Sequence, residues 1–417
     1  MSLDEASLVL DVASRLFASS ANPNALTVGA ELELLPMIGR THEPPLIHGG
    51  KGPSLADCIR RALPAGEWHE VMTDSGAPSW NLPDATRISF EPGGQIEISS
   101  RAYTSCSALI AFLNETADRL STAAKREGIE LLSIGIDPYN DVASVPLQLH
   151  SDRYVRMTRY FEARGDSGTR MMRQTAALQI SVDHGMRPLA RWQLLNALAP
   201  FVVALFANSS RYRDADTDHQ SYRAHLWRTL DRSRTGIPFD GKDPPRRYAE
   251  FALNAGSLRG WADAGEFHTF RSHLDLHDAV MDDWNFHLST LFPEVRPKEY
   301  FELRSADTID PSDVAAPLVF ITGLVYHAPS ARAAIAIAGA PDEALLERAG
   351  RAGLTNPEIR SRAAKLVDLS LEGAHALGND YITSEDRSHA AAWLERRLRQ
   401  FAHRAGTAAP VDVTDHA

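Results

Sequence analysis

Phe90-Glu91-Pro92-Gly93-Gly94-Gln95-Ile96-Glu97-Ile98-Ser99 sets two carboxylates on either side of a Pro-Gly-Gly bend, inside a run that otherwise alternates like a strand. Glutamate is a poor strand former, and like charges facing one another on neighbouring strands are destabilising. The same oddity recurs upstream, where Glu31 and Glu33 alternate with Leu32 and Leu34 in Thr27 to Met37. It recurs again near the far end, where Glu302 and Arg304 alternate with Phe301 and Leu303. Residues two apart on a strand share a face. If these strands join one sheet, its polar face gathers acids and requires a cation. Magnesium, a hard ion bound by oxygen and usually accompanied by substrate phosphates, is the first candidate, with Glu31, Glu33, Glu97 and Glu302 as its ligands. The plain alternative is a solvated face with scattered acids, but such a face mixes in lysine, and these strand positions are nearly free of it.

Working outward, further strand-like runs lie at Glu70 to Thr73, Glu130 to Asp137 and Thr175 to Asp183, which makes about six strands separated by long helical segments. In Thr175 to Asp183, Leu178, Ile180 and Val182 mark a buried face, with Gln179, Ser181 and Asp183 on the other. One-sided strands of this kind suit an α+β fold, an antiparallel sheet with helices on one face and ligand or solvent on the other. Leu3 to Ala18 has helical periodicity, and Asp214 to Pro245 reads as a long functional loop. After Val314 the chain turns Ala-rich and helical to about Phe401. The expected organisation is one catalytic domain over 1–405, with the sheet core at 27–326, a C-terminal helical part at 327–405 and a disordered tail at 406–417.

Bulk composition narrows the function classes. With 54 acids against 43 Lys plus Arg, the net charge of -11 argues against nucleic acid or an anionic membrane as the main partner. Two cysteines, Cys58 and Cys106, exclude a disulfide framework and a paired-cysteine zinc site, and fit a reducing cytoplasm. The N-terminus lacks the positive start of a secretory signal, and the apolar run Leu194 to Ala207 is too short and too interrupted for a membrane span, so it reads as a buried helix. Gly49-Gly50-Lys51-Gly52 lacks the spacing of a phosphate loop, and no His-Glu-x-x-His or Gly-x-Ser-x-Gly occurs.

The remaining candidates carry alternatives. Two glycines after Pro92 permit a bulge or a close backbone approach to a ligand, or simply form a hairpin turn. The bend also breaks the parity between Glu91 and Glu97, which makes Glu91 the weaker ligand. Arg304 shares the face of Glu302 and can clamp a phosphate, and Arg234 can grip a carboxylate bidentately. Arg153, Arg156 and Arg159, spaced around Tyr154, Met157 and Tyr160, read as a solvated helix face. Cys58, Cys106, His69 and His287 read as structural.

These pieces together resemble glutamate-cysteine ligase family 2, the plant and bacterial type that includes the actinobacterial ergothioneine-pathway enzymes. The motifs run in order from Val28 to Tyr326: Gly29-Ala30-Glu31-Leu32-Glu33, Phe90 to Ser99, Arg153-Tyr154, Met171-Met172 with Gln174 to Gln179, Ala207-Asn208-Ser209, Trp227 with Arg234-Thr235-Gly236, Leu291 to Arg296, and Glu302-Leu303-Arg304. The resemblance implies a glutamine synthetase-like fold with a curved antiparallel sheet whose polar face binds magnesium ATP and the amino acid. It implies Glu31, Glu33, Glu97 and Glu302 as magnesium ligands with Glu91 a lesser one, Gln179 at the nucleotide site, Arg304 on the transferred phosphate and Arg234 on the glutamate carboxylate. The implied reaction joins glutamate to cysteine through a γ-glutamyl phosphate. A different amine acceptor, or a magnesium-dependent phosphotransferase, is the alternative. Ser181 and Ser210 stand where the family commonly has Asn and Pro, and Ser181, on the expected ligand face, bears on the choice of amine. Ala176 stands where plant members often carry a cysteine, so a thiol switch of that type is not expected.

Overall fold

The alternation of Leu32 and Leu34 with Glu31 and Glu33 is resolved in the computed structural model as the first half of an 11-residue strand, β1 (Val28–Ile38), at the middle of the main sheet. The structure describes residues 3–405 except 21, 23–25, 51, 65, 240, 260–267 and 277–278; the tail expected at 406–417 lies outside them. The other strands of this sheet are β2 (His69–Met72), β3 (Pro78–Asn81), β4 (Arg87–Phe90), β5 (Ile96–Ser99), β6 (Ile129–Leu132), β7 (Ala177–Val182), β8 (Val295–Pro297) and β9 (Phe301–Asp307). Every pairing among them is antiparallel, in the order β8-β9-β7-β1-β5-β4-β3-β2, with β6 joined to the far half of β1.

Among the described residues this sheet has nine strands where about six were expected. Arg87 to Ser99 is a hairpin of two strands, not one, and Pro78–Asn81 and Val295–Pro297 are too short, and too rich in proline, to show a period of their own. The Pro-Gly-Gly bend is a turn between β4 and β5, closed by Glu91 N–H to the Gln95 carbonyl at 2.9 Å and Gly94 N–H to the Glu91 carbonyl at 2.8 Å. Its close backbone approach is to the protein itself: a Cβ on Gly93 would fall 2.0 Å from the Arg173 carbonyl oxygen. Gln95 ties the turn down, accepting from Gly93 N–H at 2.9 Å and donating to the Thr175 carbonyl at 2.9 Å.

Leu32, Leu34, Ile88, Ile96, Ile98, Leu178, Ile180, Phe301 and Leu303 form the buried apolar face, covered by the helices Cys106–Arg126 and Pro188–Leu205. The latter is long and apolar enough to cross a membrane, but 78% of it is buried inside the fold, as a core helix should be. Behind these lie the helices Ala315–Tyr326, Ala328–Ala338, Glu343–Ala352, Pro357–Ala376 and Ser384–Ala405. The polar face is roofed as well. A second apolar cluster of Met157, Tyr160, Phe161, Met171, Met172, Leu230 and Phe292 brings the helices Asp152–Glu162 and Ser167–Gln174 over it. Asp214 to Pro245 is not loop throughout: Ser221 caps a helix, Tyr222–Thr229, by accepting from Ala224 N–H, and that helix carries Trp227 to the polar face.

Candidate active site

The period of β1 and the antiparallel registers decide which side chains meet. Glu33 pairs with Glu97 of β5, Glu31 with Gln179 of β7, and Glu302 of β9 with Ser181 of β7. All four strands therefore turn their polar residues into one cavity of about 250 Å³, lined by Glu31, Glu33, Glu91, Glu97, Gln179 and Arg304 among others. Between Leu303 and Ala306 the β7/β9 register slips, and this bulge sits at Arg304 itself. Bulges re-aim side chains next to functional sites. Here the Arg304 guanidinium reaches both Glu302 Oε2, at 2.6 Å, and Gln179 Oε1. Gln179 in turn donates from Nε2 to Glu33 Oε1 at 2.9 Å, and Ala177 N–H donates to Glu33 Oε2 at 2.8 Å.

Countercharge is unevenly shared among the acids. Glu302, completely buried, accepts from Arg296 Nε at 2.8 Å as well as from Lys298 Nζ and Arg304. Burial works against its ionisation, but the three cations hold it far below the usual carboxylate range. Glu97 is likewise pulled below its ordinary value against burial, by Arg87 Nη2 at 3.2 Å, by the Ser99 hydroxyl at 2.7 Å and by a hydrogen bond with Glu91; the Ser89 hydroxyl also donates to it at 3.1 Å. Glu31 and Glu33 are left short. Burial first, then Glu302 and Glu97 beside Glu31, push its carboxyl up to about 7, and burial with Glu97 does the same to Glu33. Glu91 is raised well above its ordinary value by burial and by Glu97 and Glu33.

Five carboxylates on one face, three of them deprived of countercharge, are an all-oxygen donor set suited to a hard divalent cation. Among the described residues no three acidic, His or Cys side chains are already arranged as a metal cage. An ion held by these acids would have to bring part of its own shell, as magnesium does with waters and phosphate oxygens.

The structure brings Glu31, Glu33, Glu91, Glu97, Gln179 and Arg304 together at the cavity, with Glu302 directly beneath Arg304. Arg234 is not among them. It is fully buried away from the cavity, where Nε meets Asp231 Oδ2 at 3.0 Å, Nη1 donates to the Thr290 carbonyl at 2.8 Å and Nη2 to the Gly256 carbonyl at 2.5 Å, with the guanidinium over the Tyr160 ring at 4.3 Å. Its fork is spent on the protein, so it does not reach a substrate in the cavity. Ser181 also stands apart, lining a neighbouring depression with Gly29, Glu299 and Tyr300.

Several cavity residues have no site role in the sequence reading, although Arg153, Tyr154, Met171, Met172, Trp227, Phe292 and Arg296 stand in its motifs. Arg153 lines the cavity, whereas Arg156, paired with Asp152, and exposed Arg159 keep to the outer face. Arg87, Arg296 and Lys298 supply cations, and Tyr154, Met157, Met171, Met172, Trp227 and Phe292 an apolar end. Arg87, two cross-strand places from Glu97 and alternating with Ile88, could have been found from its strand parity. Lys298 lies just outside the alternating run of β9 and gives no such signal.

The chain matches the model of the glutamate-cysteine ligase family 2 over residues 27–400. It is 31% identical to the glutamate-cysteine ligase EgtA of Mycolicibacterium smegmatis over 334 residues, which is 74% of this chain and 78% of that protein. It is also 31% identical to the chloroplastic glutamate-cysteine ligase of Medicago truncatula, over 57% of this chain and 50% of that one, so it spans about half the length of the plant relative. A glutamate-cysteine ligase from Francisella tularensis in complex with AMP overlays on 90% of this chain and 89% of its own with a TM-score of 0.46 and 10% identity, too distant to bear on the site. On the match of nearly its whole length, the chain belongs to glutamate-cysteine ligase family 2.

Proposed function

We propose that the chain is an ATP-dependent glutamate-cysteine ligase that works with magnesium through a γ-glutamyl phosphate. The observation that carries the reading is the single cavity in which four glutamates and the Gln179–Arg304 pair converge, with Glu302 bonded to Arg304 behind them. The glutamate side-chain carboxylate attacks the terminal phosphorus of ATP, and ADP leaves. The amine of cysteine then attacks the acyl carbon, phosphate leaves with the C–O bond electrons, and the amine gives up a proton. Such chemistry depends on positioning and on cations that neutralise the moving phosphoryl group. Glu31, Glu33, Glu97 and Glu302, with Glu91 beside them, would hold magnesium, which when bound screens phosphoryl charge and orients the oxygens. Arg304, fixed by Glu302 and Gln179, carries positive charge to the transferred phosphate.

The carboxylate-binding role expected of Arg234 falls to Arg153, which lines both the cavity and an adjoining depression of about 500 Å³ and is held by donating from Nη2 to the Ser289 carbonyl at 2.9 Å. Pockets for drug-sized ligands run to ~300–1,000 Å³. At about 250 Å³ the cavity takes the reacting groups, and the rest of the nucleotide extends into a neighbouring depression. A glutamine synthetase-like arrangement accords with the antiparallel sheet and its acidic face. The work belongs in a reducing compartment such as the cytoplasm, where both buried cysteines stay free.

The test is incubation with magnesium, ATP and glutamate, adding each candidate amine separately and identifying products by mass. Cysteine-dependent ADP release with a γ-glutamylcysteine mass is the expected result. A stable phosphorylated product, or ligation only to another amine, would overturn it.

A further inference from the structure

Lys298 is the one lysine lining the cavity among the described residues. Its ammonium bonds Glu302 Oε1 and lies 3.8 Å from Glu31 Oε1, so it bridges two carboxylates that the proposed reading gives to metal. The three cations on Glu302 differ in freedom. Arg304 is 8% exposed, held by Gln179 and stacked 4.9 Å from the Trp227 ring, and Arg296 is 14% exposed with Nε on Glu302. Lys298 is one-third exposed and lies on the tight connection between β8 and β9, where its N–H bonds the Tyr300 carbonyl at 2.8 Å. A lysine carries its charge on a flexible four-carbon stem, without the fixed fork of arginine.

Charge balance also singles it out. If Lys298 withdraws, Glu302 keeps Arg296 and Arg304, so no buried charge is stranded. Glu31, by contrast, has Lys298 as its only ion-pair partner among the described residues. A divalent cation arriving there must compete with the ammonium, and the Tyr300 hydroxyl, 3.2 Å from Nζ, offers a place on the way out.

We infer that Lys298 is a resident counter-ion, neutralising Glu31 and Glu302 while the cavity holds no metal and withdrawing from them to the phosphoryl oxygens when metal and nucleotide bind together. This rests on the magnesium-nucleotide reading of the cavity. Metal alone then binds weakly, because the displaced ammonium keeps only the neutral Tyr300 hydroxyl and gains no new anionic partner. Nucleotide supplies one, and by linkage each ligand tightens the other by the same factor.

The test is Mn²⁺ titration followed by electron paramagnetic resonance, with wild type, Lys298→Met, Lys298→Arg and Arg15→Met, each with and without a non-hydrolysable ATP analogue. Without nucleotide, Lys298→Met is expected to bind Mn²⁺ about 10-fold more tightly than wild type, within the usual range of coupling factors. The factor by which the analogue tightens Mn²⁺ should shrink correspondingly, and Lys298→Arg should stay weak. Arg15, already paired with Asp11, lines the adjoining depression and controls for loss of any nearby charge. Unchanged Mn²⁺ affinity in Lys298→Met, an undiminished coupling factor, or equal tightening in Arg15→Met would overturn the role of Lys298. If wild type binds no Mn²⁺ even with the analogue, the magnesium reading falls and this inference with it. If wild type binds metal and makes γ-glutamylcysteine but Lys298→Met behaves like it, only the role of Lys298 fails.

Discussion

Glu33 of β1 stands directly across from Glu97 of β5, two carboxylates in register on a buried sheet face. A pair of this kind costs stability and persists where something else uses it. Removing the Glu97 charge should cost the chemistry. Glu97→Gln is expected to lower ligase turnover on the order of 10²-fold, the scale seen when one electrostatic contact to the reacting groups is lost. The fold should not suffer, because the Ser89 and Ser99 hydroxyls can still donate to the amide oxygen, and Arg87, half exposed, returns to water. Activity within a few-fold of wild type, beside an unchanged melting temperature, would remove Glu97 from the site.

The raised carboxyls make the metal-free protein pH-sensitive. A carboxyl whose pKa is higher in the folded than in the unfolded state binds its proton more tightly in the fold. Its stabilising contribution is complete below the ordinary value of 4.5 and is lost as pH climbs through about 7, the folded value for Glu31. Glu31→Gln removes that loss. In chelator-treated protein the variant should match wild type near pH 4.5 and exceed it by about 1–3 kcal/mol at pH 8. Denaturant melts across this range check it; an advantage that shrinks as pH rises would contradict the assignment.

Arg304 and Arg234 looked alike in the sequence and should fail differently. Arg304→Ala leaves Glu302 with Arg296 and Lys298, so the fold should survive while turnover drops about 10²–10³-fold. Arg234→Ala leaves Asp231 in a buried place without its cation and opens space beside Tyr160. Breaking a buried pair from one side costs about 3–5 kcal/mol. That variant should melt far earlier, and any fraction that stays folded should keep an ordinary KM for glutamate. A raised KM with unchanged stability would return Arg234 to substrate binding.

The difference between those arginines shows where sequence reading stops. A strand period of two assigns Glu31, Glu33, Glu97 and Glu302 to a face before any pairing is known, and the acids on that face are legible because they defy strand preference. What Arg234 touches is set by Thr290 and Gly256, distant in the chain, and no local pattern reports them. Trp227 is a motif residue, but its setting was hidden in a stretch whose arginines, prolines and glycines spoke for loop, although Ser221 begins a helix there. The bulge that aims Arg304 is a property of the β7/β9 pairing, not of either strand. Lys298 reaches the acids only because a short connection turns β8 back onto β9, so its place depends on a hairpin too brief to leave a period.

Ser181 provides the last discrimination. On the sheet it shares the face of Gln179, yet it pairs across to Gly29 and opens into the depression with Glu299 and Tyr300, beside the cavity and away from its apolar end. A small residue facing a glycine leaves room there, and asparagine would occupy it. Amine choice is expected to depend on Met157, Met172, Trp227 and Phe292, whose soft apolar surface suits a thiol side chain. Ser181→Asn should therefore leave the ratio of kcat/KM for cysteine over other amines within about twofold, since Ser181 lines a different depression from that apolar surface. Met172→Gln, which places an amide at the apolar end, should lower the same ratio about 10-fold or more. Competition assays with cysteine and serine read both variants. A shift in the Ser181→Asn ratio with none in Met172→Gln would move the amine site to the Gly29 depression.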